Sequence, residues 1–492
     1  MTETTLVWFR QDLRLDDNPA LYHACQQGSI IPVYILDTTS DFPARDSAAA
    51  WWLQQSLLAL SASLDEKLII LNGNPETLLP DLMSVFQCQH ITWNRCYEGW
   101  RVERDSRLKT ALKDRGYTVK SFNGSLLWEP WQTKKQDDDY YRVFTPFYRH
   151  VRSQLEVSQP LPSPASLDMA ALPDPAVMPG DHECRLTEHL GKQAIQRLPL
   201  LFSIGWEEKL HQHWNISERD ASQQLETFLN ETLGSYETGR DVPAENATSL
   251  LSPYLQAGLI SPQRIWQTTQ SYALTAGKEN AAEAFLRELI WREFAFCQLY
   301  RLPDLATEPV NDKFRHFPWQ RSGAQQKQWQ RGATGIPLVD AGMRELWETG
   351  YMHNRVRMVA ASFLVKNLLQ PWQDGRAWFD NCLVDACPAN NSMNWQWVAG
   401  CGIDAAPYFR IFNPVRQSQR FDPRGDYIRR WVPELASLSS KHIHEPWSIP
   451  EQVAREIGFT PGKDYPSPMV NLKDSRERAL QAFRTLPKSS SA

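Results

Sequence analysis

The chain has 492 residues, 42% of them hydrophobic and 22% charged, so it can bury a large core without disulfide or metal staples. A net charge of −5 and a pI near 6.2 exclude a polybasic nucleic-acid coat, though not a local basic cleft. The amino end, MTETTLVWFRQDLRL, lacks the basic start and apolar run of a secretory signal, and no apolar stretch is long enough to span a bilayer. The expectation is a cytoplasmic protein with reduced thiols and no membrane attachment.

Residues 1–130 alternate short β-branched runs with helical patterns. The runs are Thr5–Phe9, Ile30–Leu36, Lys67–Leu71, Ile91–Trp93 and Thr118–Phe122, and between them lie Pro19–Gln27, Ser47–Leu64, Glu76–Phe86 and Arg101–Arg115. Strand–helix alternation predicts an α/β domain with a doubly wound parallel sheet, which binds ligands at the carboxyl ends of its strands. Arg10–Gln11–Asp12, not G-x-G-x-x-G, follows the first strand, so a dinucleotide is not expected there.

The pattern breaks down over 131–205. Leu161–Pro179 is rich in Pro, Ala and Ser and reads as an exposed interdomain linker. From 206 to 485 helical signals dominate, with Ser217–Glu231 and Asn280–Tyr300 as examples, and the second domain is predicted to be all-α. Cys382, Cys387 and Cys401 cluster without a ligand spacing that suits a metal, so they read as buried thiols and no metal is expected.

Five stretches of the second half bear on chemistry, each with two readings. Thr248–Ser249–Leu250–Leu251–Ser252–Pro253, with Tyr236 and Arg240 upstream, is either a phosphate-binding turn or a helix cap. Glu288 and Trp291 share a helix face as a functional acid beside an indole or as a surface pair. In Tyr351–Met358, Asn354 and Met358 face one way, and Arg357 is within reach of Asp385 as a buried ion pair. Trp319, Trp372 and Trp395 lie far apart, and spacing alone does not join them. Asp385–Pro414 packs amides (Asn390, Asn391, Asn394, Gln396) around Trp395 and Trp397, either as a pocket for a flat, polar-edged ligand or as a Trp-rich core.

Together VWFRQDLRL, ELIWREF, MHNRVRM, SFLVKNLL, NWQW and DAAPYFRIFNP resemble the photolyase/cryptochrome family, and most of all its microbial cyclobutane pyrimidine dimer photolyases. The resemblance runs from Leu6 to about Trp447. It implies an α/β antenna domain (1–130), a linker (131–205) and a helical FAD- and DNA-binding domain (206–485). The implied activity is a carbon–carbon lyase reaction. Blue light drives an electron from reduced FAD into a dimer flipped out of DNA.

The resemblance also implies roles. Thr248, Ser249, Leu250, Leu251 and Ser252 meet the FAD diphosphate region, and Tyr236 closes over it. Arg357 and Asp385 pair beside the isoalloxazine, Cys387 lies near the ribityl chain or adenine, and Asn391 faces flavin N5. Glu288, with a pKa raised by burial, hydrogen-bonds the thymine carbonyls. Asn354 bonds the base edge, Met358 touches the thymine pair, and Trp291 and Trp397 wall it. Trp395, looking away from Trp397, starts a relay through Trp372 to Trp319 that photoreduces oxidised flavin. Arg240, Arg355 and Arg410 meet DNA phosphates.

Two positions depart from the family pattern. Cys387 stands where many relatives carry an acid, and Leu250 where some carry arginine. Cys96–Arg101 and Ala48–Leu53 are expected to line an antenna pocket for a reduced folate (methenyltetrahydrofolate) or else a deazaflavin, with Glu98 bonding a pterin edge. The partner is UV-damaged DNA, single- or double-stranded, and the protein is expected to be a monomer. The competing activities are a cryptochrome-type blue-light receptor and a (6-4) photolyase. The (6-4) chemistry uses lesion-pocket histidines, where this chain has Asn354 and Met358.

Overall fold

The computed structural model describes residues 3–40, 42–133, 140–171, 186–200, 205–405 and 409–487. These fall into two compact units, one of Met1–Tyr141, Thr145–Gly234 and Ser249–Pro303, the other of Arg142–Phe144, Ser235–Thr248 and Asp304–Ala492.

The first unit holds a parallel five-stranded sheet: β1 (Glu3–Phe9), β2 (Gly28–Asp37), β3 (Ile69–Gly73), β4 (His90–Asn94) and β5 (Thr118–Phe122), in the order β3-β2-β1-β4-β5. Strand order reverses beside β1, so a crevice opens past the carboxyl ends of β1 and β4. The helices begin where their caps dictate. Asn18 accepts from Leu21 N ahead of α1 (Pro19–Gln27), Ser47 from Ala50 N ahead of α2 (Ala48–Ser63), and Asn74 from Glu76 N ahead of α3 (Pro75–Val85). The fourth helix, α4, runs Gly99–Asp114. Strand β3 starts two residues later than expected, because Asp65 and Glu66 both take positive φ (51° and 58°) and pairing begins at Val33↔Ile69. Leu6, Trp8, Val33, Ile69, Leu79 and Trp93 form the centre of the core.

The stretch expected to lack periodic structure contains a helix, α5 (Phe144–Gln154). Phe144, Phe147 and Val151 follow helical spacing and are all buried. Each such side chain contributes about 1.5–3 kcal/mol, enough to dock a short helix. The Pro- and Ser-rich residues downstream hid that periodicity. The residues of Leu161–Pro179 that are described do not hang free: Met169 bridges to Ile30 at the start of β2, and Leu161 binds Asp17. Residues 172–179 of that linker lie outside the described residues. The same unit carries α6 (Glu218–Thr227), α7 (Ser252–Ala257) and the long α8 (Glu279–Arg301).

The second unit is helical: α9 (Gly323–Gln330), α10 (Pro337–Thr349), α11 (Asn354–Ser362), α12 (Trp372–Cys382), α13 (Pro388–Ala399), α14 (Asp426–Trp431) and α15 (Leu472–Arg484) are the helices that matter below. A π-turn, Phe363–Asn367, continues α11. Gly342 lets α10 approach α11, since a Cβ there would lie 2.3 Å from Val356. Cys382, Cys387 and Cys401 are buried thiols. No helix among the described residues is long and apolar enough to cross a membrane.

Candidate functional site

In the second unit, α11 carries Asn354, Arg355, Arg357 and Met358, and α13 carries Asn391, Trp395 and Trp397. His353 caps α11, its Nδ1 accepting from Arg355 N at 3.2 Å. Burial lowers the His353 imidazole to about 4, so the ring is a neutral acceptor at physiological pH. Asn354 is exposed and Met358 half-buried one turn on, with Arg355 between them. Arg355 is ion-paired to Asp241 at 2.6 Å, lies over the Phe421 ring at 4.4 Å and sits 3.9 Å from Met358 Sδ. On the same helix, Arg357 donates to Asp385 at 2.9 Å and to Met352 O at 2.6 Å, with the Tyr351 ring against its guanidinium. Burial opposes the charge on Arg357, but Asp385, Tyr351 and Glu345 together outweigh it and the pKa rises. The buried ion pair expected from sequence therefore forms.

Asn391 is buried, and its amide nitrogen donates to Asp380 at 2.6 Å and to Arg376 O at 3.1 Å. Both N–H groups are thus engaged, and the carbonyl is the end turned to other partners. Cys387 precedes α13 without capping it, and Asn390 donates to its sulfur at 3.4 Å.

The two tryptophans of α13 part company. Trp395 is buried, edge-on to Phe379 (5.0 Å) and Trp329 (6.3 Å). It crosses α12 at Gly375, where a Cβ would stand 2.2 Å from the indole. Trp397 is half-buried, donating to Asp404 O at 2.9 Å with Arg410 5.7 Å over its ring. Trp372 is buried at the start of α12, and Trp319 is half-buried against Phe317 at 4.4 Å. Arg410 is exposed and shares a groove of about 340 Å³ with Arg476 of α15. Tyr236 is buried with Arg240 over its ring at 5.2 Å, and Thr248 hydrogen-bonds Tyr351. Of DAAPYFRIFNP, residues 406–408 lie outside the described residues.

In the first unit, Leu250 takes φ +53°, and Leu251 returns to the right-handed region before Ser252 opens α7. A left-handed leucine is strained, and strain of this kind gathers at ligand clamps. A left-handed residue followed by a right-handed one is the backbone alternation from which anion-binding nests are built. Ser249 accepts from Leu251 N, and its carbonyl takes Gln224 at 2.9 Å. Glu288 and Trp291 share one half-buried face of α8. The burial expected for Glu288 is found instead at Glu293, which is fully buried on the opposite side. Burial lifts the Glu293 carboxyl to about 7; it accepts from Trp128 N at 3.1 Å and from Arg292 at 3.2 Å.

At the carboxyl ends of the strands, Arg10 pairs with Asp105, Arg104 with Asp37 and Asp105, and Arg101 with Glu98. Trp8 lies beneath Arg10 and Arg104, and Trp100 beside Arg101. Glu98 is buried and its Oε2 meets no donor among the described residues, and the indole N–H groups of Trp51 and Trp52 meet no acceptor there.

Sequence reasoning missed Asp241, Trp329, Glu345, Asp380 and Tyr427. Trp329 had a signal, its indole in a helical stretch; the others are ordinary polar residues until the fold pairs them.

Family models for "DNA photolyase" and "FAD binding domain of DNA photolyase" match residues 5–165 and 285–485. The chain is 43% identical to a deoxyribodipyrimidine photo-lyase of Agrobacterium fabrum over 99% of both chains. It is 34% identical to cryptochrome-2 of Arabidopsis thaliana, over 98% of this chain and 79% of that one. Among solved structures, a bacterial class III photolyase from Agrobacterium tumefaciens superposes with a TM-score of 0.90 at 42% identity, covering 98% of each chain. An archaeal photolyase from Sulfolobus tokodaii with two FAD molecules gives 0.77 at 28%, covering 98% of this chain and all of that one.

Proposed function

The chain belongs to the photolyase/cryptochrome family, and we propose that it repairs cyclobutane pyrimidine dimers in DNA as a deoxyribodipyrimidine photo-lyase. The observation that carries this reading is the short helix α11. It presents an exposed Asn354 and a half-buried Met358 one turn apart, and the same helix carries Arg357, paired to the buried Asp385. A lesion-reading surface and a charge pair suited to a flavin edge thus share one turn of backbone.

The residues present suit FAD. The nest at Leu250–Leu251 and the hydroxyls of Thr248, Ser249 and Ser252 are donors of the kind a diphosphate takes. Arg357 supplies a fixed positive charge, and Asn391 offers a carbonyl to a flavin N5–H without adding a negative charge. Tyr236 would cover the group, and Cys387 would stand near it as a thiol in the place of an acid. Bound FAD, fully reduced and excited by light, supplies the electron that splits the cyclobutane ring and takes it back.

The chain's own residues do the rest. Arg240, Arg355 and Arg410 hold phosphates around the extruded dimer, and Arg355 must leave Asp241 to do so. Trp291 and Trp397 stack the thymines, at about 1–3 kcal/mol per base. Glu288 donates a hydrogen bond from its carboxyl group to a thymine carbonyl. That bond strengthens as negative charge develops on the oxygen. Trp319, Trp372 and Trp395 carry an electron inward from the surface.

We assign residues 1–130 as antenna domain, 131–205 as linker and 206–485 as the FAD- and DNA-binding domain, acting as a cytoplasmic monomer on single- or double-stranded damaged DNA. The antenna chromophore is a reduced folate, methenyltetrahydrofolate. The support is Glu98, a buried acid with a free oxygen that suits the N–H edge of a pterin. The absorption of the purified protein before and after denaturation distinguishes folate from a deazaflavin or a second FAD.

The test is dimer repair per absorbed photon on a defined oligonucleotide, with binding measured in the dark. Glu288→Ala should lower the repair yield clearly, change dimer affinity modestly and leave FAD content intact, and Glu288→Gln should fall between. A wild type that holds reduced FAD but repairs nothing overturns this reading in favour of a blue-light receptor.

A further inference from the structure

Glu345, on α10, lies outside every role assigned above. Its Oε2 accepts from Tyr427 Oη of α14 at 2.6 Å and from His353 N at 3.1 Å. Tyr427 is fully buried. His353 is the cap of α11, so a single carboxylate oxygen ties α14 to the turn from which Asn354, Arg355 and Arg357 project. We propose that Glu345 is a positioning residue for dimer recognition, holding the first turn of α11 in register more firmly when its carboxyl is ionised than when it is protonated. The proposal rests on the reading of α11 as the lesion-facing helix.

The surrounding groups leave Glu345 as the one that titrates near neutrality. From α14, Tyr427 is pushed well above 10 by burial and by Glu345 itself, and Arg430 draws the Glu345 carboxyl down. From the α11 turn, the His353 ring is neutral above about 4, and Arg357 is held charged against Asp385. On its own helix, Arg344 is occupied by Glu434 at 2.8 Å. Burial lifts Glu345 itself to about 7, opposed by the hydrogen bonds from Tyr427 and His353 and by the two arginines. Ionisation turns two hydrogen bonds to a neutral acceptor into charge-assisted ones, which are about twice as strong.

The experiment is the dark dissociation constant of the FAD-loaded protein, flavin oxidised so that its own proton does not intervene, for a duplex carrying one thymine dimer. It is measured from pH 6 to 8.5 at fixed ionic strength. The constant should tighten by about fivefold as pH rises, the size of strengthening one buried hydrogen bond by charge. The midpoint should lie near 7. Glu345→Gln, an amide of the same shape, should flatten the profile at its low-pH value. Tyr427→Phe removes one donor to the carboxylate, so the step should survive with its midpoint moved upward. A wild-type profile without a step, a step that persists in Glu345→Gln, or an unmoved midpoint in Tyr427→Phe overturns the proposal. Failure to prefer dimer-containing over undamaged duplex at any pH refutes the repair reading instead.

Discussion

Glu293→Gln tests the physical account of the helix that carries Glu288 and Trp291. Glu293 is fully buried, and its carboxyl group accepts from backbone N–H groups of the 127–128 segment, anchoring α8 to it. Burial lifts its pKa from 4.5 to about 7. An acid raised on folding stabilises the fold fully below its unfolded pKa and loses that contribution as pH climbs through the folded one. At about 1.4 kcal/mol per tenfold change in proton affinity, the full loss is about 3 kcal/mol. Roughly 2 kcal/mol of it falls between pH 5.5 and 8.0. The glutamine cannot ionise yet still accepts the backbone N–H groups through its carbonyl. The measurement is the denaturant midpoint of wild type and variant at both pH values, followed by tryptophan fluorescence. The wild type should lose about 2 kcal/mol more than the variant on going to pH 8.0. Glu345, with a similar pKa, is present in both proteins and cancels. Equal losses would falsify the assignment of Glu293 as a protonated buried acid.

Two further outcomes are expected. Trp372→Phe should abolish photoreduction of oxidised FAD in the presence of a reductant while repair by chemically pre-reduced enzyme survives; photoreduction at the wild-type rate would move the relay elsewhere, and Trp329, in contact with Trp395, would be the first residue to examine. Affinity for dimer-containing DNA should fall with salt at a log–log slope of about −0.9 per phosphate neutralised, and Arg355→Ala should lower that slope by about one. An unchanged slope would leave Arg355 paired to Asp241 and off the DNA.

Much of the site was legible one residue at a time. The parallel sheet followed from the alternation of β-branched runs with capped helices, because period and caps are local properties of the chain. Trp395 and Trp397, two apart on a helix, had to face different ways, and one is buried and the other half-open. The Arg357–Asp385 pair was legible as two opposite charges within reach of one another, though spacing did not distinguish Arg357 from Arg355. The α5 helix was legible too, in Phe144, Phe147 and Val151, but composition downstream masked it.

Tertiary structure alone decided which acids are buried and who answers them. Glu288 and Glu293 sit five apart on one helix in equally apolar company, and only the packing of residues 125–133 against one side puts Glu293 in the dark and leaves Glu288 half-open. Glu345 means nothing in sequence until Tyr427, 82 positions away, brings its hydroxyl to the same oxygen that holds His353. Asp380 turns the Asn391 amide, and Asp241 occupies Arg355, through contacts that no spacing rule encodes. The physical reason is common to all four. Helical and strand periodicity is written in neighbouring residues, whereas desolvation and hydrogen-bond pairing depend on what the folded chain brings from far away.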